Sequence, residues 1–448
     1  MTTKHKYLAP LFIFIVLILF SARSFADSQV LTLSLDDCIR YALNNNEDIK
    51  MAHYDVVGSI AQKIEATKRY VPVVKYQYRI APVPKDVNNP AQSFFSGDIS
   101  VFNSFKIEAG IPVTTFGRLA ISKELADIGI DASRLQKQRK ADEILLDVYK
   151  LYHGILLADE LSILAQKGLD AISDKIGELE REENADQLQI LKLKAVLYQV
   201  EKKADEAYKK GTIAKAMLKY RLGLEDDVVL LLKNKTLNKE HFPYRSYEDL
   251  LKQAKNSRAE FKLLQKQVWA KDKQLQLEKR EYYPKLILGS FIDYGVSPGI
   301  IGDEDDSAFN NPFNFTRAGV GFELAGELDF RKIKSKVEKA KAEKYKAIAE
   351  KRSKHRLLEI DMKNSFLELE QRRKLLMRAE QEKKSARQVV FLTKSNLDIG
   401  LGEKKDYLEA VQSYLLIQAA LYENIFNYNT AVAKIKSQIG TLYDVNQL

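Results

Sequence analysis

Cysteine is almost missing from this chain of 448 residues, and with Cys38 standing alone no intrachain disulfide can form. Nor can Cys38 carry a lipid anchor, because it lies about a dozen residues past the expected leader cut and is not the first mature residue. On a helix it shares a face with Leu35, Ile39 and Ala42, the setting of a small buried apolar side chain. Histidine is scarce as well: outside the leader, His53, His153, His241 and His355 stand far apart with no metal-ligand spacing. No glycine loop runs into Lys-Ser or Lys-Thr, and no metalloprotease histidine pair occurs. The acidic run Asp303-Glu304-Asp305-Asp306 lacks the glycine and closing glutamate of a calcium loop and reads as a solvated loop. These absences argue against an enzyme, a cofactor and a resident metal.

Long apolar runs are confined to the start of the chain. Lys4 and Lys6 precede an apolar stretch from Leu8 to Phe20, and Ser24 and Ala26 frame a cleavage site, so residues 1–26 read as a secretory signal peptide. Afterwards the longest comparable run is Val228 to Leu232, far short of the roughly 20 residues of a spanning helix. The leader's Lys4, Lys6 and Arg23 contribute to a net charge of +10 and leave the mature chain near +7. Lysine and glutamate are interleaved throughout, as on the solvated faces of long helices, and no nucleic-acid partner is expected.

What the sequence does contain is a repeat. Ser34-Leu35-Asp36-Asp37 returns 212 residues later as Ser246-Tyr247-Glu248-Asp249, and Tyr70-Val71-Pro72 returns as Tyr282-Tyr283-Pro284. The mature chain therefore divides into a first repeat, 27–245, and a second, 246–448, expected to interweave in one body. Pseudo-symmetry of this kind favours rings, bundles and pores over one buried cleft.

Each copy opens with the spacing of a helix capping box, Ser34 with Asp37 and Ser246 with Asp249, and its helix is expected to run to the proline. After Pro72 the period changes to two. Val74, Tyr76, Tyr78 and Ile80 alternate with Lys75, Gln77 and Arg79; Phe105, Ile107, Ala109, Ile111 and Val113 oppose Lys106, Glu108 and Gly110. The second copy repeats this with 285–296 and with Ala318, Val320, Phe322 and Leu324. The stretches 81–99 and 297–315 read as exposed loops. Most of the remainder is long helix, and the last one carries a seam from Tyr407 through Val411, Tyr414, Gln418, Leu421, Ile425, Tyr428, Val432 and Ile435 to Ile439. Only Gln418 interrupts this coiled-coil pattern.

Four alternating strands with aromatic-rich apolar faces fit an outer-membrane barrel, yet four strands cannot close. A wet lumen needs more strands than one or two chains supply, and three copies give twelve. Helices of roughly 65 residues would extend about 100 Å at 1.5 Å per residue. The expected fold is thus α+β, a trimeric 12-stranded barrel continued by a helical coiled-coil barrel. Polar residues such as Lys75, Arg79, Lys106 and Glu108 would line the conduit.

The sequence resembles the TolC-type outer-membrane efflux protein family. The resemblance is carried by Leu33 to Leu43 with Asn45-Asn46, by the tyrosine-proline strand entries, and by Thr115-Phe116-Gly117-Arg118 with its counterpart Leu328-Asp329-Phe330-Arg331. Its most specific part is the run from Leu397 to Ala410, which is similar to the family's helix-turn-helix at the periplasmic tip. The resemblance implies a homotrimer in the outer membrane with helices reaching into the periplasm. It also implies partners: a periplasmic adaptor, an inner-membrane transporter delivering cargo, and outer-membrane lipid.

Within that frame Ile399-Gly400-Leu401 matches the segment contacted by adaptors, while Gly400 or Gly402 also suits a helix C-cap; both can hold. The corresponding tip of the first repeat, 180–186, has no glycine turn. Asp406 and Glu409 share a helix face, and threefold symmetry would stack them, with Asp186 as the first-repeat equivalent, into acidic rings constricting the pore. The plain alternative is that acids in a first turn complement the helix dipole. From Arg331 to Arg356 thirteen basic residues face three glutamates, either a solvated helix face, which is the simpler reading, or a contact with anionic headgroups. The rival function is a periplasmic coiled-coil scaffold without a pore; such a protein does not need four strands with aromatic apolar faces.

Overall fold

The structure, a computed structural model, describes residues 30–68, 71–181, 187–300, 312–327 and 329–442. The expected signal peptide and the acidic loop 303–306 lie outside them. In chain order the first half comprises β1 (Val30–Leu33), α1 (Leu35–Asn45), α2 (Glu47–Lys68), β2 (Val73–Pro84), α3 (Pro90–Ser96), β3 (Ile99–Thr114), α4 (Arg118–Glu180), α5 (Gln187–Leu222) and β4 (Val229–Leu232). The second half comprises α6 (Tyr247–Ser257), α7 (Ala259–Lys279), β5 (Lys285–Val296), β6 (Phe315–Ala325), α8 (Phe330–Asp398) and α9 (Lys404–Gln438).

Both opening helices are capped as the spacing predicts. Ser34 Oγ accepts from the Asp37 N–H at 3.2 Å while Asp37 Oδ2 accepts from the Ser34 N–H at 3.0 Å; Ser246 Oγ accepts from the Asp249 N–H at 3.2 Å. The hydrogen bonds from Ser34, side chain and then backbone, followed by Arg40, lower the Asp37 carboxyl to about 2. Because folding lowers this pKa, its stabilisation is complete above the unfolded value of about 3.9 and disappears as pH falls toward 2. Ser34→Ala is therefore expected to flatten the fall in the thermal midpoint of the solubilised protein between about pH 4 and about pH 2. A slope unchanged from wild type would refute the assignment.

The expected continuous helix before each proline is broken. Asn46 and Arg258, 212 residues apart, adopt the same extended conformation, with φ −65° and ψ 126° in one and φ −65° and ψ 125° in the other. Buried Asn46 then caps α2, its Oδ1 accepting from the Asp48 N–H at 3.0 Å and the Ile49 N–H at 3.3 Å, while its amide donates to the Arg221 carbonyl at 2.9 Å. The physical reason is a long helix ending against each break. Gly223 follows α5 with φ +66° and Gly440 follows α9 with φ +67°. A Cβ on Gly223 would sit 2.6 Å from the Asn45 carbonyl oxygen, and one on Gly440 would sit 2.9 Å from Ser257 Cβ. The duplication thus extends to contacts that no local pattern reveals.

Clustering of contacts divides the described residues into two compact units, each drawn from both repeats. One takes 30–50, 140–257 and 361–442; the other takes 51–139 and 258–360. In the first, Cys38 packs with Ile144, Leu145, Val148, Tyr152 and Leu218, and burial pushes its thiol up to about 12. β1 and β4 add a short parallel pair beside this core, beyond the four expected strands. The connector after β4 is pinned by fully buried Asn429, whose Oδ1 accepts from the Glu240 N–H at 2.9 Å and whose amide donates to the Asn238 carbonyl at 2.8 Å. Along the α9 seam, Gln418, Leu421, Tyr428, Val432, Ile435 and Ile439 are all buried.

The second unit holds one antiparallel sheet in the order β2-β3-β5-β6. Directly paired residues share a face. Tyr76 opposite Ile107, Ile107 opposite Ile292 and Ile292 opposite Ala318 carry one apolar stripe across all four strands. Lys75 opposite Glu108, Gln77 opposite Lys106, Lys106 opposite Asp293 and Asp293 opposite Arg317 carry a charged stripe on the other face. Phe291 interrupts the charged face by lying over Gly319, where an added Cβ would be 2.8 Å from its ring. The region 81–99 is not the expected loop: β2 continues to Pro84, α3 follows, and β3 already begins at Ile99. The backbone ladder with β3 extends the strand, and Ser93 Oγ holds the turn by donating to the Asp98 carbonyl at 2.5 Å and accepting from the Lys85 N–H at 3.1 Å. Of the expected loop 297–315, residues 301–311 lie outside the described residues.

Candidate functional site: helical tip and acidic groove

At the end of α8 the chain turns back through residues 399–403. Gly400 takes φ +77°, its N–H donates to the Leu397 carbonyl at 3.0 Å, and the Leu401 N–H donates to the Asn396 carbonyl at 2.9 Å. This 5→2 and 6→1 pair is a Schellman cap, so the helix-end reading of Gly400 holds. The same turn throws both apolar neighbours outward: Ile399 is 67% and Leu401 81% exposed. A lone capping turn has no need of that pair.

α9 starts after Glu403, whose side chain makes no capping bond, and Asp406 falls in its first turn. Asp406 and Glu409 are exposed, and neither has an ion pair or side-chain hydrogen bond among the described residues. Both line an open groove of about 720 Å³ with Ala410 and Ser413 of α9 and Arg378 and Glu382 of α8. The groove therefore gathers three carboxylates and one guanidinium. Glu382 and Arg378 escaped the sequence reading because they precede Asp406 by 24 and 28 residues, on the other arm of the turn. No local spacing signals that meeting.

Asp186, the third expected ring residue, lies outside the described residues. What flanks it is described: α4 ends at Glu180, α5 begins at Gln187, and Ile176, Leu179 and Ile190 form a small core between them. Lys194 bridges to Glu180 at 2.8 Å. The Lys175 hydrogen bond and charge, with a contribution from Lys404, hold Glu178 below the usual carboxylate range. Among the described residues no cluster of three potential ligands could hold a metal ion, and no helix is long and apolar enough to cross a membrane.

A two-faced four-stranded sheet and paired long helices with a glycine-turned tip invite comparison with known proteins. Residues 250–441 match the family described as outer membrane efflux protein. The chain belongs to the TolC-type outer membrane efflux protein family. The folds agree over nearly the whole length. The outer-membrane channel OprN superposes with a TM-score of 0.73 at 15% identity, covering 91% of this chain and 90% of that one. The Campylobacter jejuni CmeC outer membrane channel gives 0.71 at 17% identity over 91% and 86%, and the open state of the Neisseria gonorrhoeae MtrE outer membrane channel gives 0.74 at 16% over 91% and 89%. Among curated proteins, comparison of sequences finds no match. The efflux protein is an outer-membrane channel component and not an enzyme.

Proposed function

We propose that three copies of this efflux protein close a 12-stranded barrel in the outer membrane and pass cargo from an inner-membrane transporter and its periplasmic adaptor to the exterior. The observation that carries this reading is the sheet's division into one continuous apolar face and one charged face. Tyr76 is 79% and Val320 77% exposed in the single chain, a cost in water that lipid removes. The edge strands β2 and β6 hydrogen-bond on one side only, and pairing β6 of one copy with β2 of the next would satisfy both. A scaffold has no use for either feature. Extraction as a detergent-dependent trimer with conductance in a planar bilayer is the expected result; a soluble monomer would refute the channel.

In this reading the two repeats, 27–245 and 246–448, supply two strands each to the barrel and interweave along the duct. Ile399, Gly400 and Leu401 dock the adaptor, and Asp406 with Glu409, joined by Asp186, narrow the pore near the tip. Support comes from the exposed apolar pair held rigid by the cap, and from carboxylates left without partners beside it. Ile399→Ser with Leu401→Ser is expected to lower export at least about tenfold, the loss of about 1.4 kcal/mol of docking energy. Trimer assembly and bilayer conductance of the same variant should be unchanged. Normal export by that variant would remove the docking assignment.

A further inference from the structure

Three crossings between sheet and helices meet at one end of the sheet: β3 into α4, α7 into β5, and β6 into α8. Phe116 stacks on Tyr283 with ring centroids 5.8 Å apart, Tyr282 stacks on Phe330 at 6.5 Å, and a Cβ on Gly326 would lie 3.3 Å from Pro284. All four rings remain between 41% and 60% exposed. Aromatic rings gathered at the end of a lipid-facing sheet sit at the depth of the headgroups, where their mixed polarity is favourable.

The charges around those rings are one-sided. Lys279, Lys285, Arg331 and Lys334 are exposed, and none has an ion pair or hydrogen bond from its side chain among the described residues. The nearby acids are already engaged. Glu281 pairs with Arg118 at 3.4 Å and Lys336 at 2.8 Å, Glu327 pairs with Lys332 at 2.7 Å, and Asp329 accepts from the Lys332 N–H at 3.0 Å at the start of α8. The expected solvated face of α8 is thus partly spent in pairs, while its first turn keeps two free cations beside two more from the α7–β5 crossing. A zwitterionic surface would account for the rings but not for four uncompensated cations.

We infer that this end of the sheet is a docking surface for anionic phospholipid headgroups in the leaflet facing the periplasm, the phosphodiester meeting Lys279, Lys285, Arg331 and Lys334. The inference rests on the membrane-spanning reading above. Each such cation near an anionic surface strengthens association about fivefold, so four act together as a strong preference.

The test reconstitutes the trimer in phosphatidylcholine vesicles containing about one fifth phosphatidylglycerol, extracts it in mild detergent and weighs the retained lipids by mass spectrometry. Wild type is expected to enrich phosphatidylglycerol over phosphatidylcholine at least about fivefold. Lys279→Gln, Lys285→Gln, Arg331→Gln and Lys334→Gln combined should return the ratio to that of the vesicles. The charge-preserving set Lys279→Arg, Lys285→Arg, Arg331→Lys and Lys334→Arg should keep it. Equal retention of both lipids by wild type, enrichment that survives the glutamine set, or displacement of the lipid by inorganic phosphate would overturn the proposal; the wild-type arm decides even if a variant fails to assemble. Conductance of the same preparation in a pure phosphatidylcholine bilayer separates the two readings. A working channel without lipid preference sinks this inference alone, whereas no conductance sinks the channel.

Discussion

Replacing Asp406 and Glu409 together with alanine is expected to raise single-channel cation conductance and to increase the trivalent-cation concentration needed for half-block at least about tenfold. In the proposed trimer each position becomes three carboxylates at one height. Coulomb energy scales with the product of charges, so a trivalent ion meeting three carboxylates experiences about nine times the attraction of a single pair, before screening. The carboxylates of the described chain are free to act this way, since no cation of the chain neutralises Asp406 or Glu409. Glu382 across the groove should show a smaller effect in the same direction when changed to Gln, and Arg378→Gln the opposite. The dipole reading makes a different forecast: Asp406→Ala alone would lower stability slightly and leave conductance and block untouched. Planar-bilayer recordings with and without a trivalent ion separate the two, and unchanged conductance in the double variant would sink the acidic rings.

Gly223→Ala should be the most destabilising single-methyl change in the chain, lowering stability by about 2–5 kcal/mol from the left-handed conformation and the overlap combined. The new Cβ would stand 2.6 Å from the Asn45 carbonyl oxygen, and the backbone there has φ +66°. Neither partner can retreat easily, because Asn46 next door is held by its bonds to Asp48, Ile49 and Arg221. Gly440→Ala meets Ser257 Cβ at 2.9 Å with φ +67° and should cost somewhat less, since a side chain yields more readily than a carbonyl. Gly58 and Gly129, inside α2 and α4 with nothing within 4 Å of an added Cβ, provide the contrast. Their alanine variants are expected to gain about 0.5–1 kcal/mol from helix propensity. Thermal or guanidinium midpoints of the solubilised proteins check all four. A Gly223→Ala protein as stable as wild type would show that the break at Asn46 is not set by the α5 end.

Local features were legible from the amino acids wherever the signal has a short period. Alternation in 74–80 and 105–113 gave two strands and their faces, and the registers of 285–296 and 318–324 confirm the same for the second copy. The capping pairs at Ser34 and Ser246 and the α9 seam follow from spacings of three and four residues. The glycine turn at 399–401 was readable because only a few residues tolerate the left-handed conformation. By contrast, the strand ends at Pro84 and Ile99 were misread as loop, since proline and asparagine weaken the local pattern while the ladder between β2 and β3 sustains it.

The sequence by itself determined the duplication, the two-faced strands, the long helices and the apolar turn at the tip, because each is written in residues no more than a few positions apart. Only the tertiary structure decided the rest. The breaks at Asn46 and Arg258 depend on Gly223 and Gly440 arriving from helices far along the chain, the groove joins Glu382 to Asp406 across a turn, and the aromatic and basic cluster assembles from three separate crossings. Those contacts are fixed by which helix ends and strand ends pack together, and packing between distant segments leaves no periodic trace in the chain that makes it.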